Sequence, residues 1–216
     1  MTKSIVYVGL LSLALAGCQA KPEEAKKLPI LGSREPKVTM VDGTPKVDTV
    51  YHSIPDFAFF NQDSQRVTQE TVAGKIYVAD FFFTSCPSIC PKMKSQMLRV
   101  YEKYKDNPNV ILLSHSIDPT HDTVAVLKEY AERLGVDSKK WHFLTGDKDT
   151  ILDMAQKHYM TSALEDKNAP GGFAHSGAFL LVDGQRHIRG HYDGTMAPDV
   201  DKLMKDIDLL LQEEKK

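Results

Sequence analysis

Two thiols stand four positions apart in Asp80-Phe81-Phe82-Phe83-Thr84-Ser85-Cys86-Pro87-Ser88-Ile89-Cys90-Pro91. An apolar run ends at Phe83, and Pro91 falls where the first residue of a helix belongs, since its missing N–H is not needed there. A helix N-terminus offers unpaired N–H groups and a partial positive charge, so a cysteine placed there is more readily a thiolate. Lys92 and Lys94 add positive potential in the first turn. Thiolates in this setting either exchange with disulfides or bind a soft metal. The spacer Pro87-Ser88-Ile89 is one residue longer than the C-x-x-C of thioredoxin-type redox sites. It still permits a disulfide, and it also lets both sulfurs converge on an ion. Two thiolates are too few for a closed zinc site, which takes four ligands. Copper(I) is soft and accepts two or three, and a nearby imidazole would let the site hold copper(II) as well.

Eight histidines could supply that imidazole. His52, His121, His142, His158, His187 and His191 fall at edge, turn or helix-surface positions, where solvation or local hydrogen bonding is expected. His115 lies in a buried-looking strand and reads as a satisfied core histidine. His175 is different. It ends a long loop containing Gly171-Gly172 and opens the strand Ser176-Gly177-Ala178-Phe179-Leu180-Leu181-Val182-Asp183, and long loops inside a compact domain are often functional.

The elements that must position these groups follow from periodicity. Phe57 to Phe60 reads as a strand, Thr68 to Ala73 as a short helix stopped by Gly74, and Ile76 to Phe83 as a strand buried on both faces. After the cysteines, Met93, Met97, Val100, Tyr101 and Tyr104 keep a helical period. Val110 to Ile117 is a second buried strand that ends at Asp118-Pro119, and Asp122 is placed to cap a helix over Thr123 to Leu134 closed by Gly135. Trp141 to Leu144 is a strand, Thr150 to Tyr159 a helix, and Met160 to Ala174 a loop. Two strands turn around Asp183-Gly184, and Pro198 opens a last amphipathic helix. Helices alternating with buried strands predict an α/β domain, a central sheet with helices on both faces.

The chain has 216 residues, 42% hydrophobic and 26% charged, which suits one globular domain with extras. A formal net charge of −2 gives no signal for nucleic acid. The first residues read as a leader: a basic start, an apolar stretch from Ile5 to Ala16 too short to span a bilayer, then Leu15-Ala16-Gly17-Cys18. This resembles the lipobox of bacterial lipoproteins, in which the leader is cut before a cysteine that is then diacylated. The resemblance implies a signal peptide over 1–17, lipid on Cys18, and a domain held on a membrane in the bacterial cell envelope, facing the periplasm. It also leaves Cys86 and Cys90 as the two remaining thiols, an isolated pair whose small loop would constrain little of the unfolded chain, so the pair reads as chemical. Residues 18–36, with Pro22, Pro29 and Pro36 among Lys and Glu, read as a tether with a small apolar knot at Leu28-Pro29-Ile30-Leu31. Residues 37–51 read as a β-hairpin laid on the main domain, which runs to about residue 214.

A strand leading to a cysteine pair at a helix N-terminus is the thioredoxin arrangement. Three spaced segments make a closer match. Phe82 to Pro91, Ser116-Ile117-Asp118-Pro119-Thr120-His121-Asp122-Thr123 and His175 to Asp183 resemble the Sco/SenC family, in the expected order from about Ile54 onward. The resemblance implies a membrane-tethered, thioredoxin-like domain that binds one copper ion, Cu(I) or Cu(II), through Cys86, Cys90 and His175. It implies as partner the cytochrome c oxidase subunit that carries the dinuclear copper site, together with another copper chaperone or a thiol reductant. Asp118 matches the family's acidic residue after the second strand, with a supporting or partner-recognition role. Asp80 stands where thioredoxins keep a buried acid that assists thiol proton transfer, and this keeps a second reading open. There, Cys86 attacks and Cys90 resolves, in a thiol–disulfide oxidoreductase or redox sensor. A peroxidase ranks below both, because no separate peroxidatic and resolving pair is visible.

Overall fold

The structure is a computed structural model that describes residues 27–214. The predicted signal peptide, Cys18 and the start of the tether lie outside the described residues. The remainder of the tether does not hang free. Leu28 and Leu31 pack against the core, and the Leu31 N–H donates to the Ile188 carbonyl at 2.8 Å.

The chain then forms β1 (Arg34–Val41) and β2 (Thr44–Tyr51), an antiparallel hairpin closed by Asp42 and Gly43. Both turn residues have positive φ, +49° and +77°, as a two-residue hairpin turn requires. The hairpin starts three residues earlier than expected, because Arg34, Glu35 and Pro36 join the ladder. It is not laid on the domain either: nearly every residue in it is exposed.

The main domain comprises β3 (Ala58–Asn61), β4 (Arg66–Thr68), α1 (Gln69–Val72), β5 (Ile76–Phe82), α2 (Cys90–Tyr104), β6 (Val110–Ser116), α3 (Val124–Leu134), β7 (Trp141–Thr145), α4 (Lys148–Asp153), β8 (Ala163–Glu165), β9 (Phe173–His175), β10 (Ala178–Val182), β11 (Ile188–Asp193) and α5 (Ala197–Glu213). A seven-stranded sheet runs in the order β11-β10-β5-β6-β7-β3-β4. β5, β6 and β7 are its parallel centre, and every residue in them is buried. That is why they read as continuous apolar runs rather than alternating ones.

Two faces follow from the strand alternation. On one, Asp80, Phe82, Ser114 and Phe143 meet Cys90, Met93 and Met97 of α2 and Tyr130 of α3. α5 joins this layer through Tyr104, whose hydroxyl lies 2.6 Å from the Met204 carbonyl oxygen and 2.8 Å from an Asp208 carboxylate oxygen. On the other face, Phe59, Phe81, His115 and Tyr159 form an aromatic cluster under α4 and the π-helical turn Met154–His158 that extends it. Helices therefore cover both faces, as predicted.

Four local expectations need correction, the first being that for His142, which is buried within β7 and meets the Asn61 side chain at 3.2 Å. The segment from Met160 to Ala174 is not loop throughout, because β8 and β9 pair as a small hairpin that hands His175 to the main sheet. Asp122 does not cap α3: Thr123 takes the N-cap and its hydroxyl accepts from the Val126 N–H at 3.4 Å, which frees Asp122 for another task. His115 is buried, but neither ring nitrogen has a hydrogen-bond partner. Stacking on Phe81 at 5.0 Å and edge contact with Phe59 hold it instead, and burial lowers its pKa to about 4.

Candidate metal centre

β5 ends at Phe82, the chain turns through Thr84-Ser85, and α2 begins at Cys90 with Pro91 in its first turn. This turn leaves both sulfurs at the C-terminal end of β5, against the N-terminus of α2. β10 runs antiparallel to β5, pairing Leu180 with Ala79 and Val182 with Tyr77, so its start lies at the same end. β9 leads into that start and delivers His175. The register of the sheet thus brings a histidine eighty-five residues along the chain onto Cys90.

The three donor atoms lie within 4.8 Å of one another. His175 Nε2 is 3.2 Å from Cys90 Sγ and 3.9 Å from Cys86 Sγ. Its Nδ1 is 3.0 Å from the Ser176 carbonyl oxygen. A carbonyl only accepts, so Nδ1 carries the proton and the Nε2 lone pair faces the sulfurs. Burial lowers the His175 pKa and favours the neutral ring that a metal requires, with the Ser176 carbonyl opposing it. Both cysteines are free thiols. Two soft sulfurs and one imidazole in a half-buried pocket form a donor set suited to copper.

The two thiols differ in acidity. Burial opposes ionisation of Cys86, yet hydrogen bonds from the Cys90 thiol, the Ser88 and Cys90 backbone and the Ser88 hydroxyl hold its pKa below the usual thiol value. Cys90 is pushed well above that value, by burial first and then by its role as donor to Cys86. Beneath Cys90 lies a cavity of about 10 Å³, lined also by Asp80, Met93, Ser114, Tyr130 and Trp141. Burial raises the Asp80 pKa to about 7, against a hydrogen bond donated by the Ser114 hydroxyl. Ser114 in turn accepts from the Trp141 ring N–H at 2.8 Å. A carboxyl that stays largely protonated up to neutrality therefore faces the thiol that ionises least readily.

Asp118 is not among the donors grouped within 4.8 Å of one another. Its carboxylate accepts from the His121 N–H at 3.4 Å within its own turn. The residue that reaches the cysteine turn from this loop is Asp122, which is fully buried. It accepts from the Thr84 N–H at 3.0 Å, the Thr84 hydroxyl, the Ser116 hydroxyl at 2.6 Å and His121 Nδ1 at 2.9 Å. The sequence signal was available, since Asp122 follows Asp118 inside the segment used for the resemblance, but the capping rule alone gave it another role. Phe83 and Gly171 complete the site. Phe83 sets its ring edge-on to His175 at 5.9 Å and also touches Phe173. Gly171 has φ +82°, and a Cβ there would lie 2.7 Å from the Phe83 ring, so both conformation and space call for glycine.

Known proteins resemble this chain over most of its length. The family described as SCO1/SenC matches residues 46–212. A SCO1/SenC family lipoprotein from Bacillus anthracis is 26% identical, with a TM-score of 0.68 over 74% of this chain and 95% of that one. BsSco, described as having a disulfide switch and as a member of the Sco family of cytochrome c oxidase assembly proteins, is 28% identical, with a TM-score of 0.65 over 74% and 93%. ScoI of Arabidopsis thaliana, solved with copper bound, is 26% identical, with a TM-score of 0.60 over 73% and 98%.

Proposed function

The chain belongs to the SCO1/SenC family, and from that premise we propose that it carries copper to the dinuclear copper site of cytochrome c oxidase, or prepares the cysteines of that site. Copper is the metal this chain binds. Cys86, Cys90 and His175 are the ligands in this reading, one ion per chain. The observation that carries it is the approach of His175 Nε2 to both sulfurs, with Nδ1 already engaged by the Ser176 carbonyl. The copper is cargo, and its hand-over runs through ligands shared with the recipient. Exchange of the pair with a partner's disulfide forms the Cys86–Cys90 bond, passes two electrons and two protons to the partner as its dithiol, and leaves no thiolate for copper(I), so redox state gates loading. The thiol–disulfide reading keeps one supporting observation, the Asp80 carboxyl that shares a cavity with Cys90.

Lipid on Cys18 anchors the chain, with the domain facing the bacterial periplasm. This part of the proposal is supported by the Leu15-Ala16-Gly17-Cys18 pattern and by likeness to a family lipoprotein. Among the described residues no helix is long and apolar enough to cross a membrane.

The test loads reduced protein with copper and compares it with His175→Ala. The expected result is one copper per chain retained through dialysis, and a sulfur-to-copper(II) charge-transfer band that weakens in the variant. Protein that loses all copper on dialysis yet reduces a test disulfide overturns the copper-carrier reading. Equal copper retention in His175→Ala removes His175 from the ligand set.

A further inference from the structure

The β1–β2 hairpin turns apolar side chains to the outside. Its register pairs Arg34 with Tyr51, Pro36 with Thr49, Val38 with Val47 and Met40 with Pro45, and strand alternation puts these eight on one face. Val38 is 62% exposed, Met40 67% and Val47 64%. The opposite face carries the charged Glu35, Lys37, Lys46 and Asp48, with Lys46 and Asp48 paired at 3.1 Å, together with the less exposed Val41 and Val50. A two-stranded hairpin standing alone is marginal in water, and a projecting apolar face marks a surface that meets something.

We propose that this face rests on the lipid surface to which the chain is anchored, at headgroup depth. The inference rests on the reading of Cys18 as the anchor. Three observations select lipid. First, the chain enters the domain beside the hairpin. The Leu28 N–H donates to Glu213 at 2.9 Å, and Arg189 grips the Leu28 and Pro29 carbonyls at 2.7 and 3.2 Å. Leu28 is ten positions after Cys18, a reach of at most about 35 Å, and β1 starts six positions later.

Second, this entry lies at the pole opposite the copper ligands. The Ile54 N–H donates to the Arg186 carbonyl and the Leu31 N–H to that of Ile188, both beside the turn after β10, whereas the ligands sit at its start. Seating the hairpin on lipid leaves Cys86, Cys90 and His175 open to a partner that approaches from the aqueous side. Third, the edges are poor templates for another strand, because Pro36 on β1 and Pro45 on β2 have no N–H to give. A second copy or a protein partner adding a strand would need those donors, and contact through the face alone does not. Backbone left unpaired at the hairpin edges keeps it out of the hydrocarbon centre. Arg34, stacked on the Tyr51 ring at 5.5 Å, suits the headgroup layer.

The chain's one tryptophan, Trp141, is buried, so a tryptophan placed on the hairpin can be read by difference. Full-length Met40→Trp and Lys37→Trp are reconstituted into phosphatidylcholine–phosphatidylglycerol vesicles, with and without bromine on the acyl chains. The expected result is at least about twofold quenching at position 40, on the apolar face, and little at position 37, on the polar face. Flotation of wild type against Cys18→Ser reads the anchor separately. A chain that floats while position 40 stays unquenched overturns the hairpin proposal and leaves the anchor standing. A chain that neither floats nor shows quenching overturns both. Burial of position 40 that appears only as protein density on the vesicle rises assigns the face to a second copy and overturns the lipid assignment.

Discussion

Cys86 and Cys90 are chemically unequal although both are buried. Hydrogen bonds from Ser88 and Cys90 support a thiolate on Cys86, while Cys90 is desolvated and acts as donor to it. The thiolate is the reactive species. In reduced, metal-free protein at pH 7.5, Cys86 should therefore be alkylated by iodoacetamide at least about tenfold faster than Cys90. Peptide mass mapping over time reads this directly, and equal rates would refute the assigned asymmetry. Copper loading at that pH should then release a proton from Cys90, because a bound thiolate cannot keep it. His175 adds little to that release, since burial already favours its neutral ring.

The turn that holds the cysteines is fixed at its root by another element, the loop after β6. Asp122 gathers two donors from Thr84, one from Ser116 and one from His121. Removing a buried acceptor leaves donors unpaired, at about 1–3 kcal/mol each. Asp122→Ala should therefore lower stability by about 2–4 kcal/mol in urea unfolding, and should also weaken copper retention and shift the copper(II) charge-transfer band. Asp122→Asn, which keeps one acceptor oxygen, should recover part of each effect. If Asp122→Ala lowers stability with an unchanged copper spectrum, Asp122 serves the fold alone. The loop before His175 makes a parallel prediction. Gly171→Ala adds a Cβ at φ +82° against the Phe83 ring. Strain of about 1–3 kcal/mol should follow, read as a lower unfolding midpoint and, because Phe83 borders His175, as faster copper loss to a chelator.

These two elements also show what was legible in the sequence. A strand running into two cysteines and a proline is a local pattern, so Cys86 and Cys90 could be placed from their neighbours alone. His175 was singled out because the segment before it reads as a long loop meeting a strand, although that segment holds the β8–β9 hairpin. Asp122 was not, because an aspartate before a helix satisfies the capping rule. Only the fold shows that Thr123 takes that role and that Thr84 lies within reach. The β8–β9 hairpin escaped for the same kind of reason: three-residue strands carry too little alternation to stand out.

At the scale of the whole molecule, buried ionisable groups tie stability to pH, and they pull in opposite directions. His115 and His142 are held neutral by burial, each with a pKa near 4 instead of 6.5. Between those values the unfolded chain binds more protons, so stability rises with pH. Asp80 does the reverse. Its pKa is about 7 when folded against 3.8 as the ordinary value, so across that window the native state keeps a proton that the unfolded chain has released, and stability falls as pH rises. At 1.36 kcal/mol per pKa unit, Asp80 contributes a loss of about 4 kcal/mol by pH 8, and the two histidines a gain of about 3 kcal/mol each by pH 6.5. The histidines win below pH 6.5, so reduced, metal-free wild type should gain stability from pH 4 to 6.5. Asp80→Asn isolates the opposing contribution, since an amide still accepts from Ser114 without titrating. Urea unfolding at pH 4, 6 and 8 should show the variant close to wild type at pH 4 and progressively more stable above it, by up to about 4 kcal/mol at pH 8. A constant difference at all three values would mean that Asp80 is already ionised in the folded protein, and would remove it as a proton store beneath Cys90.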